Sequence, residues 1–526
     1  MSSSTKAAPQ EADAAGNAGV AMVAKALYLL TRLCIPPMVL AHISLAEYGL
    51  WTACFVLIMY VGLTDVGFSN VYVRFTARFA ASGNVDGINR LLSTGVATLC
   101  ALAVLVLAGV WLCLPLVLDF LKIGATYRQT ASILVMGTTG MFLLDLTLGA
   151  YCYLLHGLQR IKEEQTVAIA GYLLELVLIF AFLKAGYGVY ALLMAFALRY
   201  TWSLLSFMRL AHRYLPGLQI RLRYFDTKML RHFLGFGATV QASALLGTVM
   251  FSVDRLLAGF LLGPKGIALF ELAAKLPVSA LAVPSAISNV TLATASGHAA
   301  SGNMQAIRTL HQQATRSTGL LAAIPLGYMA LFSAPIGKVW LGEGADLHGW
   351  PMIMALTACW SQLHITTGPG SAIFRAMGKA GNEFIYHGLR AAALAISIGI
   401  CLVTISSTVT ALALGLAIGG AVAAIAYLAI NQRILGLPMR SLLGSILIPG
   451  LLPYFMAGLF RLLWDQAVPA GAGRWDFLAL LFLAGVLYTG ASMTVNWICV
   501  FTPGERTYLI GLFRKMTGNR IQWKIS

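Results

Sequence analysis

Residues 80–84 read AASGN, and residues 299–303 read AASGN again, 219 positions later. The register holds upstream without a gap. Ser69-Asn70-Val71 falls on Ser288-Asn289-Val290, and Tyr48-Gly49-Leu50-Trp51 falls on the similarly apolar Ile267-Ala268-Leu269-Phe270. Around these strings, apolar stretches recur from about residue 18 to residue 501 with only short polar breaks. The chain has 526 residues, 59% of them hydrophobic and 10% charged, with a mean hydropathy of +0.80. That excludes a soluble fold, in which roughly a quarter of residues are charged. No β-barrel alternation is present, so the spans are helices, each needing about 20 apolar residues to cross the hydrocarbon.

The expected spans are 18–42, 46–72, 90–118, 128–154, 165–183, 188–210, 235–262, 266–293, 310–335, 350–375, 384–405, 410–431, 441–463 and 476–501. The 219-residue offset moves the second span onto the eighth, a shift of six helices, and an even shift preserves orientation. The halves are therefore parallel repeats. The fold class is an all-α polytopic membrane protein of about 14 transmembrane helices, with two parallel six-helix lobes plus an additional C-terminal helix pair. The expected segments are a disordered tail (1–17), an N-lobe (18–220), a C-lobe (221–436), and the last two spans with a C-terminal tail (437–526). Two such lobes with a cleft between them suit a transporter that alternates its access.

The net charge of +17 would suggest a nucleic-acid partner in a soluble protein, but here the question is which loops hold the 36 Lys and Arg. With the N-terminus inside, inner loops and tails hold 24 of them and outer loops hold 6, namely Lys122, Arg128, Lys184, Lys265, Lys338 and Arg474. The positive-inside rule then puts both termini in the cytoplasm. The longest inner connection, 211–234, alternates basic and aromatic residues in a way that suits a segment lying on anionic headgroups. No outer loop is long enough to carry a catalytic domain. All eight cysteines fall inside expected spans, and with no Cys/His spacing suited to zinc, no metal site is expected. The histidines receive no role.

Ionisable side chains inside the bilayer are costly, so each is a functional candidate. Lys25, Tyr28 and Arg32 sit at i, i+3 and i+7, on one face of the first span. Two cations and a phenol suit an anionic, sugar-bearing ligand, and these three are the candidate cavity residues. Asp65 and Asp145 lie at comparable depth, and either could pair with Lys25 or take up a coupling cation. Glu175 and Arg199 are expected to form a structural bridge between spans five and six. Asp254, Arg255, Glu271 and Lys275 form a second cluster, a gate or a packing device, and Glu271 and Lys275 are at i, i+4 and can neutralise each other. None of the four has a charged counterpart at the repeat offset.

Tyr48-Gly-Leu-Trp51 through Leu63-Thr-Asp65-Val-Gly67-Phe to Arg74 resembles the opening signature of polysaccharide transporters of the multidrug/oligosaccharidyl-lipid/polysaccharide exporter (MOP) superfamily. The stretch Asp254-Arg-Leu-Leu-Ala-Gly-Phe-Leu-Leu-Gly263, followed by Phe270 and Ala273-Ala274, is similar to it too. The resemblance implies a Wzx-type flippase of the bacterial inner membrane. Such proteins move undecaprenyl-diphosphate-linked oligosaccharides to the outer leaflet for O-antigen, capsule or exopolysaccharide assembly. It also implies a cationic central cavity, onto which Lys25 and Arg32 map. Its implied partners are the lipid-linked substrate, membrane lipids, and a polymerase and chain-length regulator of the same pathway, with no nucleic acid. No cofactor is implied, and coupling to H+ or Na+ stays open. So do two alternatives, a cation-coupled multidrug exporter of the same superfamily and a flippase for the peptidoglycan precursor.

Overall fold

The computed structural model describes residues 14–62, 68–234, 238–342, 348–379, 381–468, 473–504, 506–507 and 510–511. Residues 1–13 of the expected tail and Asp65 lie outside them. The chain forms two compact units, Met1–Val249 and Met250–Ser526.

The first unit contains α1 (Ala14–Leu40), α2 (Leu45–Val61), α3 (Phe68–Ala81), α4 (Val85–Phe120), α5 (Ala125–Leu148), α6 (Ala150–Gly157), α7 (Ile161–Lys184), α8 (Tyr190–Tyr214), α9 (Thr227–Leu234) and the start of α10 (Ala238–Leu262). The second contains the rest of α10, then α11 (Pro264–Ala280), α12 (Ala282–Ala300), α13 (Met304–Leu331), α14 (Ser333–Trp340), α15 (Trp350–Thr366), α16 (Gly368–Ala376), α17 (Asn382–Thr404) and α18 (Thr408–Ile434). It ends with α19 (Met439–Ser441), α20 (Ile448–Ala467) and α21 (Arg474–Val495), and π-helical turns follow α19 and α21. Ten described helices are long and apolar enough to span a membrane, and two bent pairs, α11–α12 (52°) and α13–α14 (74°), bring the number to twelve. Among the described residues, each of the fourteen expected spans falls on one helix or on consecutive helical segments. The first helix starts at Ala14, four residues inside the expected tail.

The repeated pentapeptide builds the same corner twice. Gly83 and Gly302 both adopt φ +67, the left-handed region open to glycine, and each ends a helix. Asn84 and Asn303 then cap the next helix, their side chains accepting from Gly87 N (2.8 Å) and Ala306 N (3.0 Å). The 219-residue offset runs through the elements around it. Leu45–Val61 shifts onto Pro264–Ala280 at both ends, and Val85 shifts onto Met304. Span four breaks at Gly149 and span ten at Thr367, one residue before the matching Gly368, and the turns that follow reach positive φ at the matching Gln159 (φ 60) and Gly378 (φ 73).

Between α8 and α9 the backbone is laced along the first turns of α4. Asn89 Nδ2 donates to Gly217 O (3.1 Å) and its Oδ1 accepts from Gln219 N (2.8 Å), Ser93 Oγ accepts from Arg221 N (3.1 Å), and Thr94 Oγ1 accepts from Asp226 N (2.9 Å). This leaves Arg221, Leu222 and Arg223 exposed, while Phe233 packs fully buried against Phe68 and Tyr72. In the second unit α17 and α18 pack at small residues. A Cβ on Gly415 would lie 2.7 Å from Ile398 Cα, and one on Gly419 would lie 2.4 Å from Ser397 Oγ. Arg316 and Arg390, both included in the inner-loop count, lie deep within their helices. Arg316, on α13, donates through Nη2 to Val500 O, and Arg390, two turns into α17, is 6% exposed.

Candidate functional site

In the first unit α1, α7 and α8 bring three charged side chains to one point. Glu175 on α7 is buried, its side chain 3% exposed. Arg32 on α1 donates through Nη1 to Oε1 (3.2 Å) and through Nη2 to Oε2 (2.6 Å), the fork geometry that makes arginine–carboxylate pairs strong. Arg199 on α8 places its Nε 3.2 Å from Oε2. The approach of α8 depends on Gly171, one turn before Glu175, since a Cβ there would lie 3.2 Å from Ser203 Oγ and 3.5 Å from Arg199 Cγ. The expected Glu175–Arg199 bridge is present, and Arg32 joins it.

Aromatic rings surround this triad. Lys25 Nζ and the Arg32 guanidinium lie 5.3 and 5.2 Å from the Tyr28 ring, and that ring is 5.2 Å from Tyr172. Arg199 lies 4.1 Å from the Tyr200 ring and 5.9 Å from Tyr172. Both contacts are within cation–π range. The stripe read from helical spacing is thus one physical cluster. Two guanidiniums share the Glu175 carboxylate, Arg199 also has Asp145 for a neighbour, and exposed Lys25 adds a third cation, so three cations face two carboxylates among the described residues. Asp145 on α5 has Arg199 as its charged neighbour rather than Lys25. Arg32 uses two of its five N–H donors on Glu175. The arrangement can therefore present cationic donors and aromatic faces to an anionic ligand while its carboxylate holds the guanidiniums in place.

The second unit repeats the stoichiometry at unrelated positions. Glu271 on α11 pairs with Arg255 on α10 (Nε to Oε2, 2.6 Å) and with Lys275 one turn on (Nζ to Oε1, 3.2 Å). Its neighbour Asp254 lines a small cavity of about 20 Å³ with Phe270, Trp360 and Arg390, enough for one water molecule. The Arg390 guanidinium lies 4.8 Å from the Trp360 ring. At the position matching Asp145, 219 residues on, stands His364, whose Nδ1 is 2.5 Å from Tyr386 Oη.

The structure therefore gathers Lys25, Tyr28 and Arg32 in one unit and Arg255, Glu271 and Lys275 in the other, with Asp254 beside Arg390. Sequence reasoning had given Glu175 and Arg199 a purely structural role and missed Arg390. The signal for Arg390 was its place eight residues after Asn382, too deep for a loop once the helix start is known.

The profile of a family described as "Polysaccharide biosynthesis protein" matches residues 16–296, more than half of the chain. No curated protein matches it. Among solved structures, the chain is similar to the lipid II flippase MurJ in an inward closed conformation, with a TM-score of 0.69 and 14% identity over 91% of this chain and 98% of that one. It is also similar to the inward-facing conformation of a multidrug resistance MATE family transporter of the MOP superfamily, with a TM-score of 0.64 and 16% identity over 80% and 94%. A MOP superfamily transporter from Pyrococcus furiosus matches with a TM-score of 0.53 and 17% identity over 80% and 94%. The shared property is the fold.

Proposed function

Because the chain belongs to the polysaccharide biosynthesis protein family, we propose that it is the flippase of a bacterial surface-polysaccharide pathway. Family and fold together make it a multi-pass membrane transporter. In our reading the cargo is an undecaprenyl-diphosphate-linked oligosaccharide, carried across the inner membrane by alternating access, with both termini cytoplasmic.

The observation that carries this reading is the excess of cations, Lys25, Arg32 and Arg199, over the carboxylates Glu175 and Asp145, set among Tyr28, Tyr172 and Tyr200. Charges left inside a bilayer cost about 2.5–3.5 kcal/mol each on insertion scales. An unbalanced excess there is explained by a ligand that brings the counter-charge. A diphosphate brings it, and the phenol rings offer flat faces for the sugars attached to it. Lys25, Arg32 and Arg199 engage the diphosphate, Tyr28 packs on glycan, and the prenyl tail stays in lipid. Asp254, Arg255, Glu271 and Lys275 are the candidate gate, and Asp65 and Asp145 are the candidates for H+ or Na+ coupling.

A flippase for the peptidoglycan precursor is the second reading. It is supported by the likeness to the lipid II flippase, which extends over 91% of this chain against 80% for the MATE transporter. Deleting the gene in its native bacterium separates the readings. Ours expects the lipid-linked oligosaccharide to accumulate and a surface polysaccharide to disappear while growth continues. Loss of viability with accumulation of peptidoglycan precursor supports the second reading. Unchanged surface glycans with raised sensitivity to cationic dyes overturn both in favour of a drug exporter.

A further inference from the structure

In the first unit a second cluster lies at the corner where span four ends and span five begins. Cys152 and His156 are one turn apart on α6 and so share a face. The chain turns at Gln159 and enters α7, whose first turn carries Glu164. The thiol sulfur, an imidazole nitrogen and a carboxylate oxygen of these three residues all lie within 4.8 Å of one another. His156 Nε2 is 3.3 Å from Glu164 Oε2, close to the tetrahedral edge of about 3.3–3.8 Å that zinc-to-ligand bonds of about 2.0–2.3 Å require. Gln165 Nε2 donates to the same carboxylate oxygen (2.7 Å), the kind of outer hydrogen bond that orients a ligating carboxylate.

The internal repeat supplies an independent comparison. Shifted by 219 residues, Cys152, His156 and Glu164 fall on Ser371, Arg375 and Glu383. There the corner is closed by an ordinary ion pair, Arg375 Nε to Glu383 Oε1 at 3.0 Å. The second unit thus balances its carboxylate with a built-in guanidinium. The first unit keeps the carboxylate but replaces arginine by an imidazole and serine by a thiol. A dication bound to one thiolate, one carboxylate and one neutral imidazole restores the neutrality that the arginine provides in the other unit.

We propose that Cys152, His156 and Glu164 form a binding site for a divalent transition-metal ion of the zinc class, with water as the fourth ligand, that clips α6 to α7. Thiolate, imidazole and carboxylate are the donors such ions select, and alkaline-earth cations would not favour the sulfur.

The probe is Co2+, added to the full chain purified in detergent and stripped with a chelator. The expected result is one Co2+ per chain with a thiolate-to-cobalt charge-transfer absorption, bleached by added Zn2+. Cys152→Ser should lose the charge-transfer band. His156→Arg should lose stoichiometric binding yet remain folded, because it installs the ion pair the second unit already uses. That variant carries the test should Cys152→Ser misfold. No stoichiometric cobalt spectrum in the wild type, or a spectrum that survives in folded His156→Arg, overturns the proposal and leaves a His156–Glu164 ion pair only.

Discussion

Glu175 is the residue on which the first unit's site depends. It holds Arg32 and Arg199 together inside the membrane helices, and removing one partner of a buried ion pair strands the other charge. Glu175→Gln strands two. It should lower stability by about 3–5 kcal/mol, read as a fall in the detergent-solubilised unfolding temperature. Arg32→Ala should cost less, because Arg199 still pairs the carboxylate. Its larger effect should be on transport, with complementation of the deletion strain failing despite normal folded protein. The grouping of Lys25, Tyr28 and Arg32 was readable because helical spacing alone puts them on one face. The part played by Glu175 was not, because spacing within α7 says nothing of which helices meet it. Likewise Cys152, His156 and Glu164 are twelve residues apart at most, but only the sharp turn at Gln159 makes them neighbours.

At the scale of elements, the repeat makes paired predictions. Asn84 and Asn303 cap matching helices with matching geometry. Asn84→Ala and Asn303→Ala should therefore destabilise by a similar amount, about 1 kcal/mol each, measured as shifts in unfolding temperature. A clear inequality would mean the two corners are alike in sequence only. The packing of α17 on α18 gives a second pair. Gly415→Ala pushes a methyl group into the Ile398 backbone and should cost about 1–3 kcal/mol. Gly399→Ala, where a Cβ meets nothing within 4 Å, should be neutral or stabilise by up to about 1 kcal/mol. The span pattern was legible because hydropathy fixes where helices cross lipid. The breaks at Gly149 and Thr367 were not, because both segments stay apolar across them.

For the whole molecule, the class of fold followed from composition and a 219-residue register, since lipid permits few architectures. Arg390 shows where charge counting misleads, because a cation two turns into a helix can lie buried among packed helices instead of in water. The remaining inner-loop excess still predicts a cytoplasmic C-terminus. A green fluorescent protein fusion there should fluoresce, whereas an alkaline phosphatase fusion should be inactive. In our reading the excess of Lys25, Arg32 and Arg199 over Glu175 and Asp145 captures a diphosphate-linked glycan. The most direct test is translocation of undecaprenyl-diphosphate-linked oligosaccharide in proteoliposomes, read by the glycan's accessibility to an external lectin. Translocation should depend on the protein and fall roughly ten- to hundredfold in Arg32→Ala, the loss expected for about 1.5–3 kcal/mol of charged hydrogen bonding. Wild-type protein that moves no glycan, or moves it equally well without Arg32, would contradict that reading.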